Sequence, residues 1–172
     1  MKSNGSKLVA VTGCDSGIGR ALTAVLSEEG YHIVASYLEK NPFHGRRGIQ
    51  AVRCDIRNKQ DILRFAKEVA SAARSRGGLY ALVHNAGIAK GGPVEDVRMD
   101  TFRDVMEVNY FGLVSLTKEL LPLLIRSKGR IIIHGSMAGR IALPFLAPYT
   151  ASKFALEGFA DSLRRELNPF GA

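Results

Sequence analysis

The stretch Lys7-Leu8-Val9-Ala10-Val11-Thr12-Gly13-Cys14-Asp15-Ser16-Gly17-Ile18-Gly19 decides how the rest of the chain is read. Leu8 to Val11 form a short apolar run without alternation, which suits a strand buried on both faces. The run ends in a glycine-rich turn. Beyond it Ile18, Leu22, Val25 and Leu26 recur at helical spacing until Gly30 punctuates the end. Strand, glycine turn and helix in that order are the context a dinucleotide site requires. Gly13 permits the tight turn, and Gly17 and Gly19 remove side chains where backbone and helix N-terminus approach a pyrophosphate. The spacing is G-x-x-x-G-x-G, and alone it also fits a purely structural strand–helix turn.

Working outward, the same alternation repeats. Tyr31 to Ser36 read as a second strand and Ile49 to Arg53 as a third, with Arg46, Arg47 and Gly48 in the turn before it. Asn58 to Ser75 carry Ile62, Phe65, Ala66 and Val69 at helical spacing, with an N-cap candidate in front and Gly77-Gly78 behind. Leu79 to His84 form a fourth strand. Asp100 to about Ser127 form a long helix through Val105, Asn109, Leu113, Leu116 and Leu120, which Pro122 can bend near its end. Arg130 to Gly135 are a fifth strand, and Tyr149 to Leu167 a last helix before Pro169 and Gly171. Strands alternating with helices imply crossovers, a parallel sheet and helices on both faces. The expected fold is α/β, a doubly wound, three-layer Rossmann-like sheet, with residues 1–172 as one dinucleotide-binding domain.

Composition narrows the function. At 172 residues, 46% hydrophobic and 23% charged, the chain has the make-up of a soluble globular domain. No uninterrupted apolar run approaches the roughly 18 residues of a membrane span, so no membrane partner is expected. Met1 to Lys7 are polar and lead straight into a strand, which argues against a signal peptide. Cys14 and Cys54 match no metal-ligand spacing. They read as free thiols of a reducing, cytoplasmic compartment, with a disulfide as the alternative and no metal site expected. The net charge of +8 raises the question of nucleic acid. Basic residues are scattered, however, with no stripe of interleaved aromatics, so solvated faces are expected rather than a nucleic-acid footprint.

In an open parallel sheet the ligand lies beyond the carboxyl ends of the strands. Four further groups fall on that rim. Asn85-Ala86-Gly87 close the fourth strand, as a ligand loop or as a self-stabilised turn. Asp55 and Ile56 follow the third strand, where Asp55 either meets an adenine amino group or caps the next helix. Ser136 ends the fifth strand. Tyr149 and Lys153 stand at i and i+4 of the last helix and so share a face. A phenol ordinarily titrates near 10, too high for acid–base work at neutral pH, while an adjacent ammonium favours its ionised form. Read alone, Tyr149 and Lys153 are a surface pair; lying on one rim with the glycine turn and Ser136 makes them candidates for an acid–base centre. The apolar loop Ile141 to Leu146 between Ser136 and Tyr149 either lines a pocket for an apolar substrate or packs as buried loop.

Together Thr12 to Gly19, Asn85-Ala86-Gly87, Asn109 in Val108-Asn109-Tyr110, Ser136 and Tyr149-Thr-Ala-Ser-Lys153 resemble the short-chain dehydrogenase/reductase family. The likeness runs from Lys7 to the last residue, and the wording is similar to the 17-beta-hydroxysteroid and retinol dehydrogenase branch. The resemblance implies an NAD(P)-dependent oxidoreductase acting on a small, apolar alcohol or carbonyl substrate. It implies Tyr149 as proton donor or acceptor, with Lys153 beside it and on the nicotinamide ribose. Ser136 would position the substrate oxygen and Asn109 anchor a water in the proton relay. Gly13, Ser16, Gly17, Ile18 and Gly19 would surround the pyrophosphate, Asp55 and Ile56 the adenine, and Asn85, Ala86 and Gly87 the adjoining ribose. A homodimer or homotetramer is implied in the same way.

Two departures stand out. NAD-preferring relatives often place an acid after the second strand; here Ser36-Tyr37-Leu38 occupy that place, with Tyr37 nearest by count. NADP-preferring relatives tend to put a base there or in the glycine turn, and neither place has one, which leans the expectation toward NAD. The family's chain also continues past this helix into another strand, a substrate lid and a final strand. The expectation is therefore a fragment of a longer protein or a shortened form, and a non-catalytic dinucleotide-binding or interaction protein stands as the alternative function.

Overall fold

The computed structural model describes residues 7–171. The reading of Met1 to Ser6 as a polar start without a leader lies outside the described residues. Five strands form one sheet: β1 (Leu8–Val11), β2 (His32–Tyr37), β3 (Ile49–Arg53), β4 (Leu79–His84) and β5 (Arg130–Ile133). Their order is β3-β2-β1-β4-β5 and every pairing is parallel. All four residues of β1 are buried, as a strand covered on both faces requires. The sequence order reverses at β1, which has β2 on one side and β4 on the other. A crevice therefore opens beyond the carboxyl ends of β1 and β4.

The helices are α1 (Gly17–Glu28), α2 (Lys59–Arg74), α3 (Met99–Met106), α4 (Gly112–Ser127) and α5 (Ala147–Leu167). On one face of the sheet, Phe65 and Val69 of α2 and Leu116, Leu120 and Leu124 of α4 pack with Leu8, Ala10 and Leu82. Phe65, Leu116 and Leu124 are fully buried; each such side chain contributes about 1.5–3 kcal/mol of transfer free energy. The other face packs Val9, Val11, Ile33 and Val83 against Leu22 and Leu26 of α1 and against Phe43 of the β2–β3 loop. The expected parallel, doubly wound sheet flanked by helices is the fold observed.

Details of the helices differ from expectation, for identifiable reasons. Ile18 and Val25 of α1 point outward, 69% and 55% exposed. The face that meets the sheet is Gly19, Leu22, Thr23 and Leu26, and positions 18 and 25 lie one residue, about 100°, off that stripe. The long helix is three pieces, because the π-helical turn Glu107–Phe111 separates α3 from α4. Pro122 sits inside α4 without ending it. Taken together, Met99–Ser127 is long and apolar enough to cross a membrane by length and composition alone. Its buried residues, Val105, Leu113, Leu116, Leu120 and Leu124 among them, belong to the protein core. At one edge of the sheet, among the described residues, β5 pairs with β4 alone, and Ile132 is 45% exposed.

Candidate active site

The glycine turn and the Asn85 loop form one hydrogen-bonded unit. Asn85 donates its amide N–H groups to the carbonyls of Thr12 and Gly13 (3.0 and 2.8 Å). The Thr12 hydroxyl oxygen accepts from the backbone N–H groups of Asn85 and Ala86 (3.0 and 3.1 Å). Gly13 takes φ +69° and donates its N–H to Ser36 Oγ at 3.1 Å. A Cβ on Gly19 would stand 2.2 Å from the Gly13 carbonyl oxygen and 2.3 Å from Asn85 Nδ2, so only glycine lets α1 start this close to β4. Gly17, at φ +52°, has nothing within 4 Å of where its Cβ would be. Ser16 makes no capping bond to the first turn of α1, so no side-chain cap competes for the N–H groups there, which are free for an anion.

A cleft of ≈ 400 Å³ opens from this turn. Of the residues read from sequence as cofactor contacts, Gly13, Ser16, Tyr37, Asp55, Ile56, Asn85, Ala86 and Gly87 line it. Gly17 and Ile18 are exposed at the start of α1 and Gly19 is buried behind them. Asp55 does not cap α2. That place belongs to Asn58, whose side chain accepts from Gln60 and Asp61. Asp55 instead takes a forked bond from Arg57 (2.8 and 3.0 Å), and that guanidinium holds its carboxyl below the usual carboxylate range. Arg57 also reaches Asp104, which pairs with Lys90. These four charges bridge the loops after β3 and β4 to α3.

The residues expected to carry acid–base chemistry lie on α5 and in the segment that follows β5. Lys153 is 7% exposed, and burial holds its ammonium below the ordinary lysine range. It donates one N–H to the His134 carbonyl at 2.8 Å, and its Nζ lies 5.7 Å from the centroid of the Tyr149 ring. The shared helix face expected for Tyr149 and Lys153 is thus realised. Ser136 Oγ accepts from the Ala138 N–H at 3.1 Å, which leaves its own proton for another acceptor. Asn109, 1% exposed in the π-helical turn, accepts from the Ile88 N–H (2.8 Å) and donates to the Ile88 carbonyl and Ser152 Oγ (both 2.9 Å). Both of its N–H groups are spent, so its amide nitrogen is not what would hold a relay water.

Several contributors have no signature in the sequence. Ser152 links Asn109 to the Tyr149 carbonyl, donating its hydroxyl there at 2.7 Å. The Asn85 amide oxygen can only accept, so the His134 ring donates Nδ1–H to it at 2.8 Å and joins β5 to the loop after β4. The alternation of strands and helices places these residues on a rim but not in contact. The apolar loop between Ser136 and Tyr149 is not buried packing: Ile141, Leu143 and Phe145 are 63%, 42% and 65% exposed. Gly92 ties it down by donating its N–H to the Phe145 carbonyl at 2.7 Å. Cys14 and Cys54 are free and buried, and burial pushes both thiols up to about 12, far from nucleophilic use. Among the described residues no cluster of His, Cys, Asp or Glu has the geometry of a metal site.

The arrangement fits a dinucleotide: a cradle that a Cβ would fill, an uncapped helix N-terminus and a cleft opening from both. Comparison with known proteins agrees. Residues 7–171 match the family model described as short chain dehydrogenase. D-beta-hydroxybutyrate dehydrogenase, mitochondrial, of Rattus norvegicus is 39% identical over 175 residues, covering 96% of this chain and 51% of its own. 17-beta-hydroxysteroid dehydrogenase type 6 of Bos taurus is 37% identical over 171 residues, covering 96% and 53%. A short-chain dehydrogenase of Streptomyces avermitilis, known by crystal structure, superposes with a TM-score of 0.88 at 27% identity, covering 96% of this chain and 63% of its own. The chain spans about half the length of the curated relatives it matches.

Proposed function

The chain belongs to the short-chain dehydrogenase family, in the branch that holds steroid and retinol dehydrogenases, and from that premise we propose that it interconverts an alcohol and a ketone or aldehyde with a nicotinamide dinucleotide. The observation that carries the reading is the buried Lys153 ammonium beside the Tyr149 ring, at the same strand ends as the glycine cradle. When bound, the nicotinamide supplies the hydride acceptor or donor.

The residues of this chain would do the rest. Gly13, Ser16 and the first turn of α1 hold the pyrophosphate, with Ile18 beside it and Gly17 and Gly19 leaving room. Asp55 and Ile56 flank the adenine, Tyr37 stands at the outer ribose, and Asn85 to Gly87 border the other ribose. Ser136 donates its uncommitted hydroxyl proton to the substrate oxygen, orienting it toward Tyr149. Tyr149 Oη takes the alcohol proton or returns it to the carbonyl oxygen. The Lys153 ammonium stabilises the negative charge that develops on that phenol oxygen, and its two remaining N–H groups are free for ribose hydroxyls. Asn109 holds the loop after β4 against α5 through Ile88 and Ser152.

The exposed residues Ile141, Leu143 and Phe145 favour an apolar substrate, because they offer a wall without polar demands. The lack of an unpaired base lining the cleft favours NAD over NADP, since Arg57 and Lys90 are both held by carboxylates. Tyr149→Phe is the test. It removes only the acid–base oxygen, so dinucleotide binding stays within about twofold while turnover of alcohols and carbonyls is lost. Undiminished turnover in that variant would sink the mechanism.

A further inference from the structure

The strand β2 ends on Tyr37, which is not an acid, and a carboxylate from another part of the chain reaches the loop that follows. Asp15, in the middle of the glycine turn, reaches across to the loop after β2. Its Oδ1 accepts the backbone N–H groups of Leu38 (2.9 Å), Glu39 (2.9 Å) and Lys40 (3.4 Å), and its Oδ2 accepts that of Leu38 at 3.0 Å. Successive N–H groups converging on one point are an anion-binding nest. Here the occupying anion is the protein's own carboxylate, and Asp15, Tyr37 and Leu38 all line the dinucleotide cleft.

In folds of this kind the adenosine ribose is read at the end of the second strand, by an acid where its 2′-hydroxyl is free and by a base where it is phosphorylated. We propose that Asp15 is the residue that selects the unphosphorylated dinucleotide in this protein, an inference that rests on the dinucleotide reading above. Two consequences follow from its position. A 2′-phosphate arriving at the loop finds the N–H groups already taken and a fixed negative charge in front of them. A 2′-hydroxyl finds Oδ2, which accepts one hydrogen bond, from Leu38, and keeps a lone pair to accept another. No base in the cleft offsets the repulsion. Arg57 is paired with Asp55 and Asp104, and Lys90 with Asp104, so both lining cations are committed to carboxylates.

Calorimetric titration of the full chain with NADH, NADPH, adenosine 5′-monophosphate and adenosine 2′,5′-bisphosphate tests this without any turnover. The wild-type chain is expected to bind NADH about tenfold or more tighter than NADPH at low salt, with the gap narrowing as salt rises. Asp15→Ser empties the nest and is expected to close the gap by about tenfold, chiefly through tighter NADPH, with the bisphosphate improving in parallel. Asp15→Asn keeps the shape without the charge and falls between; circular dichroism confirms that both variants fold. An unchanged NADH-to-NADPH ratio in both folded variants overturns the proposal. So does an equal loss of all four ligands, which would mean that Asp15 only shapes the loop. Wild-type chain that binds none of the four refutes the dinucleotide reading itself, and this proposal with it.

Discussion

Gly19→Ala is expected to destabilise the protein far more than Gly17→Ala, although the two positions are two residues apart in one motif. The reason is what each added methyl meets. At position 19 it stands 2.2 Å from the Gly13 carbonyl oxygen and 2.3 Å from Asn85 Nδ2, one a backbone atom and the other fixed by bonds to Thr12 and Gly13. Neither can yield alone, so the start of α1 must lift by roughly 1 Å, and overpacking of this kind costs about 3 kcal/mol. Alanine's better helix propensity returns up to about 1 kcal/mol of that. The net loss of about 2–3 kcal/mol lowers Tm by roughly 5–10 °C for a chain of this size. At position 17 the methyl meets nothing within 4 Å, and the cost is that of holding alanine at φ +52°. That is about 1 kcal/mol, or roughly 2–4 °C in Tm. Thermal unfolding followed by circular dichroism measures both. Equal shifts, or a larger one for Gly17→Ala, would show that α1 does not pack on the turn as described.

Two further predictions concern groups behind the rim. Asn109→Ala leaves the Ile88 N–H and carbonyl without their partner in a half-buried place; with orphaned groups there costing about 1 kcal/mol each, a loss of about 2 kcal/mol and a Tm lowered by roughly 4–8 °C are expected. A change under about 1 °C would contradict the bonding around Ile88. His84 is wholly buried with Nε2 2.9 Å from Thr117 Oγ1, and burial depresses its pKa from 6.5 to about 3. Below pH 6.5 the unfolded chain therefore takes up a proton that the folded chain refuses, and stability falls with pH toward 3. The slope from this group is at most about 1.4 kcal/mol per pH unit. Urea unfolding of His84→Leu between pH 6.5 and 5, where carboxylates stay ionised, should show a shallower slope than wild type. Parallel slopes would mean that His84 is not shielded as the structure has it.

Much of this was legible from the residues in order. The unalternating Leu8–Val11, the helical stripe of α2 and the capping Asn58 are local patterns, and local physics decides them. The two-state choice for Asp55 was not, since capping and ligand contact ask for the same side chain at the same place; only Arg57 and Asn58 in position separated them. Ile18 and Val25 misled for a related reason. Their spacing is helical, but α1 turns Leu22, Leu26 and the close approach at Gly19 toward the sheet, and that leaves positions 18 and 25 facing outward.

By itself the sequence determined the parallel α/β fold, the rim on which the site lies, and the side chains available there, because periodicity and strand–turn–helix order act over a few residues. The tertiary structure alone decided how those side chains are bonded. Asp15 meets Leu38, His134 meets Asn85 and Asn109 meets Ser152 across 23, 49 and 43 positions of chain. Hydrogen bonds of that reach need angles and distances that exist only after β2, β1, β4 and β5 stand side by side and α5 has packed beside the π-helical turn, and no local pattern encodes them.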